Sequence, residues 1–416
     1  MSDTQTVLEI PVPEPNLTAD ELVGRARALR EHLRAEQAAT EARGAYSPET
    51  HELFREAGFY RTLLPRRFGG YEFDVTTFMK MVVEVARGCP GTGWCLCLAS
   101  GHGIQLGGLW SESVQRSVLT ENADFCAPLR ALPMGTAART SEGGWRIDGK
   151  WDYCSGSPYS TYAMLSVRLD PAEANGARLG VALVPRADWN LLDDWKDWAV
   201  GMRGSGSNSI EISGAVIPDD FLVTGSLLSF TGEGLDQPGY EIHGNPMYAG
   251  LPMGYLQLEI TSILVGTAYA ALDEYERIIR ERKTMGPNPV PRFENSDYQR
   301  YWGLASGKLL AAEAVLMHNS DYYSQLCREA VQGDGFDTEK LMTIHAATHH
   351  AINLAWEAIE ILYRTGGTSE GGRQGTRMER YWRDFSTART NAGLSYETFA
   401  QTYAKQHFGI ASGPLI

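Results

Sequence analysis

Six residues in the middle of the chain, Trp151-Asp152-Tyr153-Cys154-Ser155-Gly156, are of the types that a flat apolar ring system needs. Trp151 and Tyr153 supply an aromatic wall, Ser155 a short hydroxyl, and Gly156 a backbone open to close approach. The same residues also read as a strand that ends in an ordinary Ser-Gly turn. A second segment, Gly201-Met202-Arg203-Gly204-Ser205-Gly206-Ser207-Asn208-Ser209, puts three glycines and three serines into nine residues. Its exposed amides, with Ser205 and Ser207, suit an anion or the edge of a cofactor. A hairpin loop has the same composition. The segment lacks the lysine of a nucleotide phosphate loop, and it precedes a strand pattern rather than a helix, so it is not a dinucleotide turn.

Arg282 closes a helical stretch, where a cation is favoured by the helix dipole and is also placed to bind phosphate. Glu379-Arg380-Tyr381-Trp382-Arg383-Asp384 reads as a structural ion-pair network rather than a catalytic set. His345 and His349 stand four apart on a helical pattern, a spacing that can hold zinc, but no HExxH arrangement accompanies them, so no metal is expected. His102 lies in an apolar, glycine-rich stretch; it reads as a buried histidine bonded to a carbonyl or as a cofactor or substrate contact. The six cysteines form no CxxC pair, which fits free thiols in a reducing cytoplasm.

The bulk of the chain limits the partners. With 51 acidic against 37 basic residues the net charge is −14, which disfavours nucleic acid and anionic membranes. No uninterrupted apolar run approaches the roughly 20 residues of a membrane span.

The elements that must position these residues fall into blocks. Residues 1–16 read as a loose arm. Thr18 and Glu21 make a capping box, and Ser47 with Pro48 opens a second helix that ends near Gly58. Helices are expected from Phe78 to Ala86 and, unbroken, from Trp94 to Leu109. Strand periodicity then runs through Trp145, Ile147, Trp151 and Tyr153, and through 162–169, 179–184 and 209–217. Helical stretches return at 256–283, 298–333, 338–366 and 386–407. Segregated blocks argue for an α+β fold. The expected domains are an N-terminal helical domain over 1–125, a β-barrel-like domain over 126–235 and a C-terminal four-helix bundle over 236–416.

In this order the motifs resemble the acyl-CoA dehydrogenase superfamily from about residue 17 to 408. Leu64-Pro65-Arg66-Arg67-Phe68-Gly69-Gly70 resembles its early glycine turn, and 201–208 with Val216-Ile217-Pro218 resembles its middle-domain loop and closing Val-Pro. Arg282-Lys283-Thr284-Met285-Gly286, Gly366-Gly367 and the Arg383-Asp384 pair resemble its C-terminal flavin motifs. Trp94 after Gly-Thr-Gly, and the spacing of Trp151, Tyr153, Ser155 and Gly156, are similar to the two-component flavin-dependent monooxygenases. These include 4-hydroxyphenylacetate and steroid-phenol hydroxylases, dibenzothiophene monooxygenase and amino-sugar N-oxygenases.

That resemblance implies reduced flavin, FMNH2 or FADH2, supplied by a separate flavin reductase. With O2 it would form a C4a-hydroperoxide that hydroxylates an aromatic, phenolic or polyketide-type molecule; N-oxygenation of an amine is the alternative. It implies flavin contacts from Trp151, Tyr153, Ser155, Ser205, Ser207, Arg282, Gly366 and Gly367, with Arg282 reaching a neighbour's flavin in a homotetramer. Substrate contacts would come from Trp94, Tyr248, Met253, Tyr255 and Asn391, and catalysis from Ser155, Asn391 and His102. Asn391 stands where several phenol hydroxylases carry histidine, and asparagine cannot act as a base near neutral pH. A dehydrogenase or oxidase reading would use Glu397 as the base, although it falls later than the usual spacing.

Overall fold

The computed structural model describes residues 9–120, 124–232 and 234–410. Residues 1–8 of the expected arm lie outside these. Within the rest of that arm, Ile10 bridges to Phe68, and both Ile10 and Val12 are buried.

Among the described residues seven α-helices come first: α1 (Ala19–Ala28), α2 (Arg30–Arg43), α3 (Pro48–Ala57), α4 (Val75–Gly88), α5 (Pro90–Ser100), α6 (Gly103–Leu109) and α7 (Glu112–Val118). The Thr18–Glu21 capping box and the Ser47 cap with Pro48 form as expected, and Gly58 closes α3 in the left-handed region. The unbroken helix expected over 94–109 is corrected: it divides at Gly101-His102 into α5 and α6. Helix α5 packs close to α4, since a Cβ on Gly93 would stand 2.6 Å from Ala86 Cα.

The strands are β1 (Leu129–Arg139), β2 (Trp145–Trp151), β3 (Tyr162–Leu169), β4 (Leu179–Pro185), β5 (Asn190–Leu191), β6 (Ile210–Ile217) and β7 (Leu222–Thr224). They form one sheet in the order β5-β6-β2-β1-β3-β4-β7, antiparallel except for β1 with β3. Among the described residues β5 does not pair with β7, so the sheet is open at these edges rather than barrel-like. The inner face of β2 places Trp145, Ile147 and Trp151 in one core with Ile210 and Ile212 of β6.

Six further α-helices follow among the described residues: α8 (Gly239–His243), α9 (Pro252–Glu281), α10 (Ser296–Ala330), α11 (Thr338–Gly366), α12 (Arg377–Ala388) and α13 (Tyr396–His407). The expected helix over 386–407 is corrected, because its start belongs to α12 and a break separates it from α13. Helices α9, α10 and α11 pack on one another, and α4 packs on α9. Helix α9 is long and apolar enough to cross a membrane, yet 83% of its apolar window is buried inside the protein, which marks it as a core helix. Helices, sheet and helices in this order are the α+β architecture read from the sequence.

Candidate active site

The turn after β2 and the loop before β6 lie side by side. Cys154 N–H donates to the Asn208 carbonyl at 3.1 Å, and Gly156 N–H to the Ser205 carbonyl at 3.3 Å. Gly156 has φ +86°, and a Cβ there would stand 2.8 Å from Cys95 O and Ala99 N of α5. Only glycine lets the turn rest on that helix. Two non-glycine residues of these segments, Tyr153 and Met202, hold the left-handed conformation at φ 55°. Such backbone strain is found where the surrounding structure imposes it, often at functional sites.

This packing brings four expected residues into one hydrogen-bonded chain. Trp94 Nε1 donates to Ser155 Oγ at 3.0 Å. Ser155 Oγ lies 2.6 Å from Ser207 Oγ, which lies 2.6 Å from Ser205 Oγ. Three hydroxyl protons serve two bonds between serines, so one proton is left over. Ser205 is fully buried, whereas Ser155 is 7% exposed. An unpaired buried hydroxyl costs about 1–3 kcal/mol. That cost sets the direction: Ser205 donates to Ser207, Ser207 donates to Ser155, and Ser155 offers its proton outward. Ser205 therefore acts on a ligand only through the other two serines.

The aromatic wall is corrected in part. Trp151 is fully buried, its indole N–H donates to the Ser166 carbonyl at 2.9 Å, and its ring fills the space left by Gly135 and Gly149. It supports the turn from inside the sheet domain and presents no face to a ligand. Tyr153 is the outward aromatic, 57% exposed, with the Arg130 guanidinium 5.7 Å from its ring centroid. Trp195, absent from the sequence reading, meets the Tyr153 ring edge-on at 5.7 Å and donates its indole N–H to the Met202 carbonyl at 2.9 Å. It thus ties the two segments together.

The Glu379–Asp384 segment forms the structural network expected of it. Met202 N–H donates to Asp384 Oδ1 at 2.7 Å, and a Cβ on Gly201 would stand 2.4 Å from Arg383 O. Arg380 and Arg383 both pair with Glu41. Burial pushes the Asp384 carboxyl up to about 6, with Arg383 opposing that shift. Helix α12 so clamps the start of the serine loop.

Arg282, Gly366 and Gly367 lie in a separate cluster. Arg282 caps α9 and pairs with Glu370; Arg277 pairs with the other Glu370 oxygen at 3.4 Å. Arg292 Nη1 donates to the Gly366 carbonyl at 2.8 Å, and Gly367 adopts φ +102°. Arg282, Gly366 and Gly367 are thereby gathered at one half-exposed cationic corner. None of them hydrogen bonds to the serine chain.

Asn391 does not hydrogen bond to Ser155 either. It is exposed, and its side-chain oxygen accepts from Gly393 N–H at 2.8 Å. With His349, Arg389, Ser395 and Glu397 it lines a cleft of about 390 Å³ in the C-terminal domain. Glu397 belongs to that cleft and not to the serine chain. The His345–His349 spacing serves the fold: His349 Nδ1 lies 2.6 Å from the His345 carbonyl, and the His345 ring stacks on Phe399 at 4.6 Å.

Three expected substrate contacts are core residues. Tyr248 is buried against Gly107 and Gly108 and donates its hydroxyl to the Leu63 carbonyl at 3.0 Å. Tyr255 donates to the Gly101 carbonyl at 3.1 Å, and Met253 is buried at the start of α9. His102 is also buried, with Nδ1 2.7 Å from the Ala127 carbonyl and Nε2 3.5 Å from Glu259 Oε2. Both ring nitrogens face protein groups, so His102 in this conformation takes no proton directly from a substrate. Glu259 was not singled out from the sequence.

The acyl-CoA dehydrogenase N-terminal domain model matches residues 20–123, and the acyl-CoA dehydrogenase C-terminal domain model matches residues 258–396. The chain belongs to the acyl-CoA dehydrogenase family. Among its relatives is a flavin-dependent monooxygenase, oxygenase subunit HsaA, from Rhodococcus jostii, 28% identical over 93% of this chain and 98% of that protein. Another is the FADH2-dependent resorcinol hydroxylase, oxygenase component, from a Rhizobium species, 23% identical over 96% of this chain and 97% of the relative. The crystal structure of 3-HSA hydroxylase from Rhodococcus sp. RHA1 superposes with a TM-score of 0.83 at 24% identity, covering 95% of this chain and 98% of that one. At that identity the superposition speaks for the fold, and the site residues must speak for the chemistry.

Proposed function

We propose that this chain is the oxygenase component of a two-component flavin-dependent monooxygenase. It takes reduced flavin from a separate reductase and, with O2, hydroxylates a small aromatic molecule. The observation that carries this reading is the Trp94–Ser155–Ser207–Ser205 chain next to exposed Tyr153, whose one spare hydroxyl proton the burial of Ser205 assigns to Ser155. The relatives named above are oxygenase components along nearly their whole length.

The residues fit a flavin. Its ring edge presents hydrogen-bond acceptors to which the Ser155 proton can be given, and Tyr153 offers an aromatic surface. Arg282, with the Gly366-Gly367 turn, suits its phosphate. Reduced flavin, when bound, supplies the electrons that activate O2. The chain's own part is positioning. Trp94 fixes Ser155, Trp195 and Asp384 fix the loop that carries Ser205 and Ser207, and the buried helices behind them exclude water. Because the serine chain and Arg282 form separate clusters in one subunit, a homotetramer in which Arg282 serves a neighbouring site accounts for both.

The test is stoichiometric. Full-length protein given reduced flavin, O2 and a panel of phenols should form hydroxylated product in near proportion to flavin oxidised. Ser155→Ala should release hydrogen peroxide instead. Unchanged product yield in Ser155→Ala would sink the assignment.

A further inference from the structure

His102, Glu259 and Tyr255 form a buried polar knot that the oxygenase reading does not use. Three parts of the chain meet there: the break between α5 and α6, the middle of α9, and the stretch that enters β1. His102 Nδ1 lies 2.7 Å from the Ala127 carbonyl, and a carbonyl only accepts, so Nδ1 carries a proton. Nε2 then faces Glu259 Oε2 at 3.5 Å. Glu259 is fully buried, and neither carboxyl oxygen has a hydrogen-bond partner. The Tyr255 hydroxyl lies beside it but donates to the Gly101 carbonyl. The other ionisable groups that face Glu259 are Cys97 of α5 and Tyr323 of α10, and neither carries positive charge. An unpaired carboxylate in such a place costs at least several kcal/mol. Burial accordingly pushes the Glu259 carboxyl up from its ordinary value. The carboxyl occupies the space that a side chain at position 101 would take, since a Cβ on Gly101 would stand 2.0 Å from Oε1.

We propose that Glu259 is a positioning residue for His102, presenting a carboxylic O–H to Nε2 while the opposite ring nitrogen holds the Ala127 carbonyl. A shift of about half an ångström closes the gap to hydrogen-bond length. The imidazole then keeps one tautomer and links α9, the α5–α6 break and the entry to β1. Helix α5 also carries Trp94, so the link sets where the Ser155 hydroxyl stands; that last consequence rests on the oxygenase reading.

The test is infrared spectroscopy of the full chain without flavin, in H2O and D2O near neutral pH, comparing wild type with Glu259→Gln. The expected result is the carbonyl stretch of a protonated carboxylic acid in wild type that disappears in Glu259→Gln. Loss of a carboxylate band instead would overturn the proposal. His102→Asn supplies a second readout: the acid band should shift when its imidazole partner goes, and an unmoved band also overturns the proposal. If Glu259→Gln does not fold, the His102→Asn shift decides alone. In turnover, Glu259→Gln retains a donor and should keep the coupling of product to flavin, whereas Glu259→Leu should lose it severalfold. Equal coupling in the two variants would mean that Glu259 only fills space. Failure of the wild type to use reduced flavin would remove the oxygenase reading and leave the infrared result standing.

Discussion

Replacing Ser207 by alanine removes the middle of the hydroxyl chain, and its consequences differ from those at either end. Ser205 is fully buried and gives its proton to Ser207, so Ser207→Ala strands that donor. The cost is about 1–3 kcal/mol. Ser205→Ala removes the donor itself and strands nothing, so it should cost no more than about 1 kcal/mol. Ser155→Ala leaves both the Trp94 indole N–H and the Ser207 hydroxyl without an acceptor, and should cost at least as much as Ser207→Ala. Ser207→Ala also frees the Ser155 hydroxyl to turn away from its ligand. Losing one neutral hydrogen bond of about 1 kcal/mol corresponds to a roughly fivefold to tenfold weaker grip on reduced flavin. Denaturant unfolding of the three variants measures the first series, and anaerobic titration with reduced flavin measures the second. Equal stability losses for Ser205→Ala and Ser207→Ala would refute the inferred direction of the chain. Unchanged flavin affinity in both Ser207→Ala and Ser155→Ala would refute its role.

Arg282→Ala should weaken reduced-flavin binding by about tenfold to a hundredfold, the value of one charge-assisted hydrogen bond, and should lessen its salt dependence; unchanged affinity in the same titration would exclude a phosphate contact. Asn391→Ala should leave the pH profile of hydroxylation unchanged, because the side chain holds only Gly393 N–H and transfers no proton; a lost ionisation in kcat against pH would show otherwise. Burial carries the Glu72 carboxyl up to about 7. The folded form thus binds the proton more tightly than the unfolded one, so the stability is fully present below the unfolded value and falls as pH rises toward 7. Glu72→Gln should flatten that decline, by at most roughly 3 kcal/mol at this partly exposed group, when denaturant midpoints at pH 5 and pH 8 are compared.

The chemistry-bearing residues were legible where short polar side chains stood beside glycine, as at Ser155, Ser205 and Ser207. Those glycines permit the close approach that joins the two segments. Trp151 was misplaced because the strand period that puts it on one face with Tyr153 ends at Trp151: Trp151 stays in the core of the sheet, while Tyr153, beyond the strand, adopts φ 55° and turns outward. The break at Gly101-His102 left no mark in an apolar pattern that runs through it. At that break Glu259 and Tyr255 of a distant helix occupy the space beside Gly101. Strand β1 was unread, since Pro133 and a register shift between Arg130 and Gly135 interrupt its alternation. Trp195 lies among aspartates in a surface-like stretch, and only folding shows that its indole joins the two halves of the site. Its place as the lone acid in the apolar first part of α9, before Asp273, was the one available sign of Glu259.

The most direct test supplies the full-length chain with chemically reduced flavin, isotopically heavy O2 and a phenolic substrate, then weighs the product. The account predicts one heavy oxygen atom in each hydroxylated molecule, with product formed in proportion to flavin oxidised. Unlabelled substrate recovered intact, together with bleaching of bound oxidised flavin by an acyl-CoA, would contradict it and make Glu397 the residue to examine.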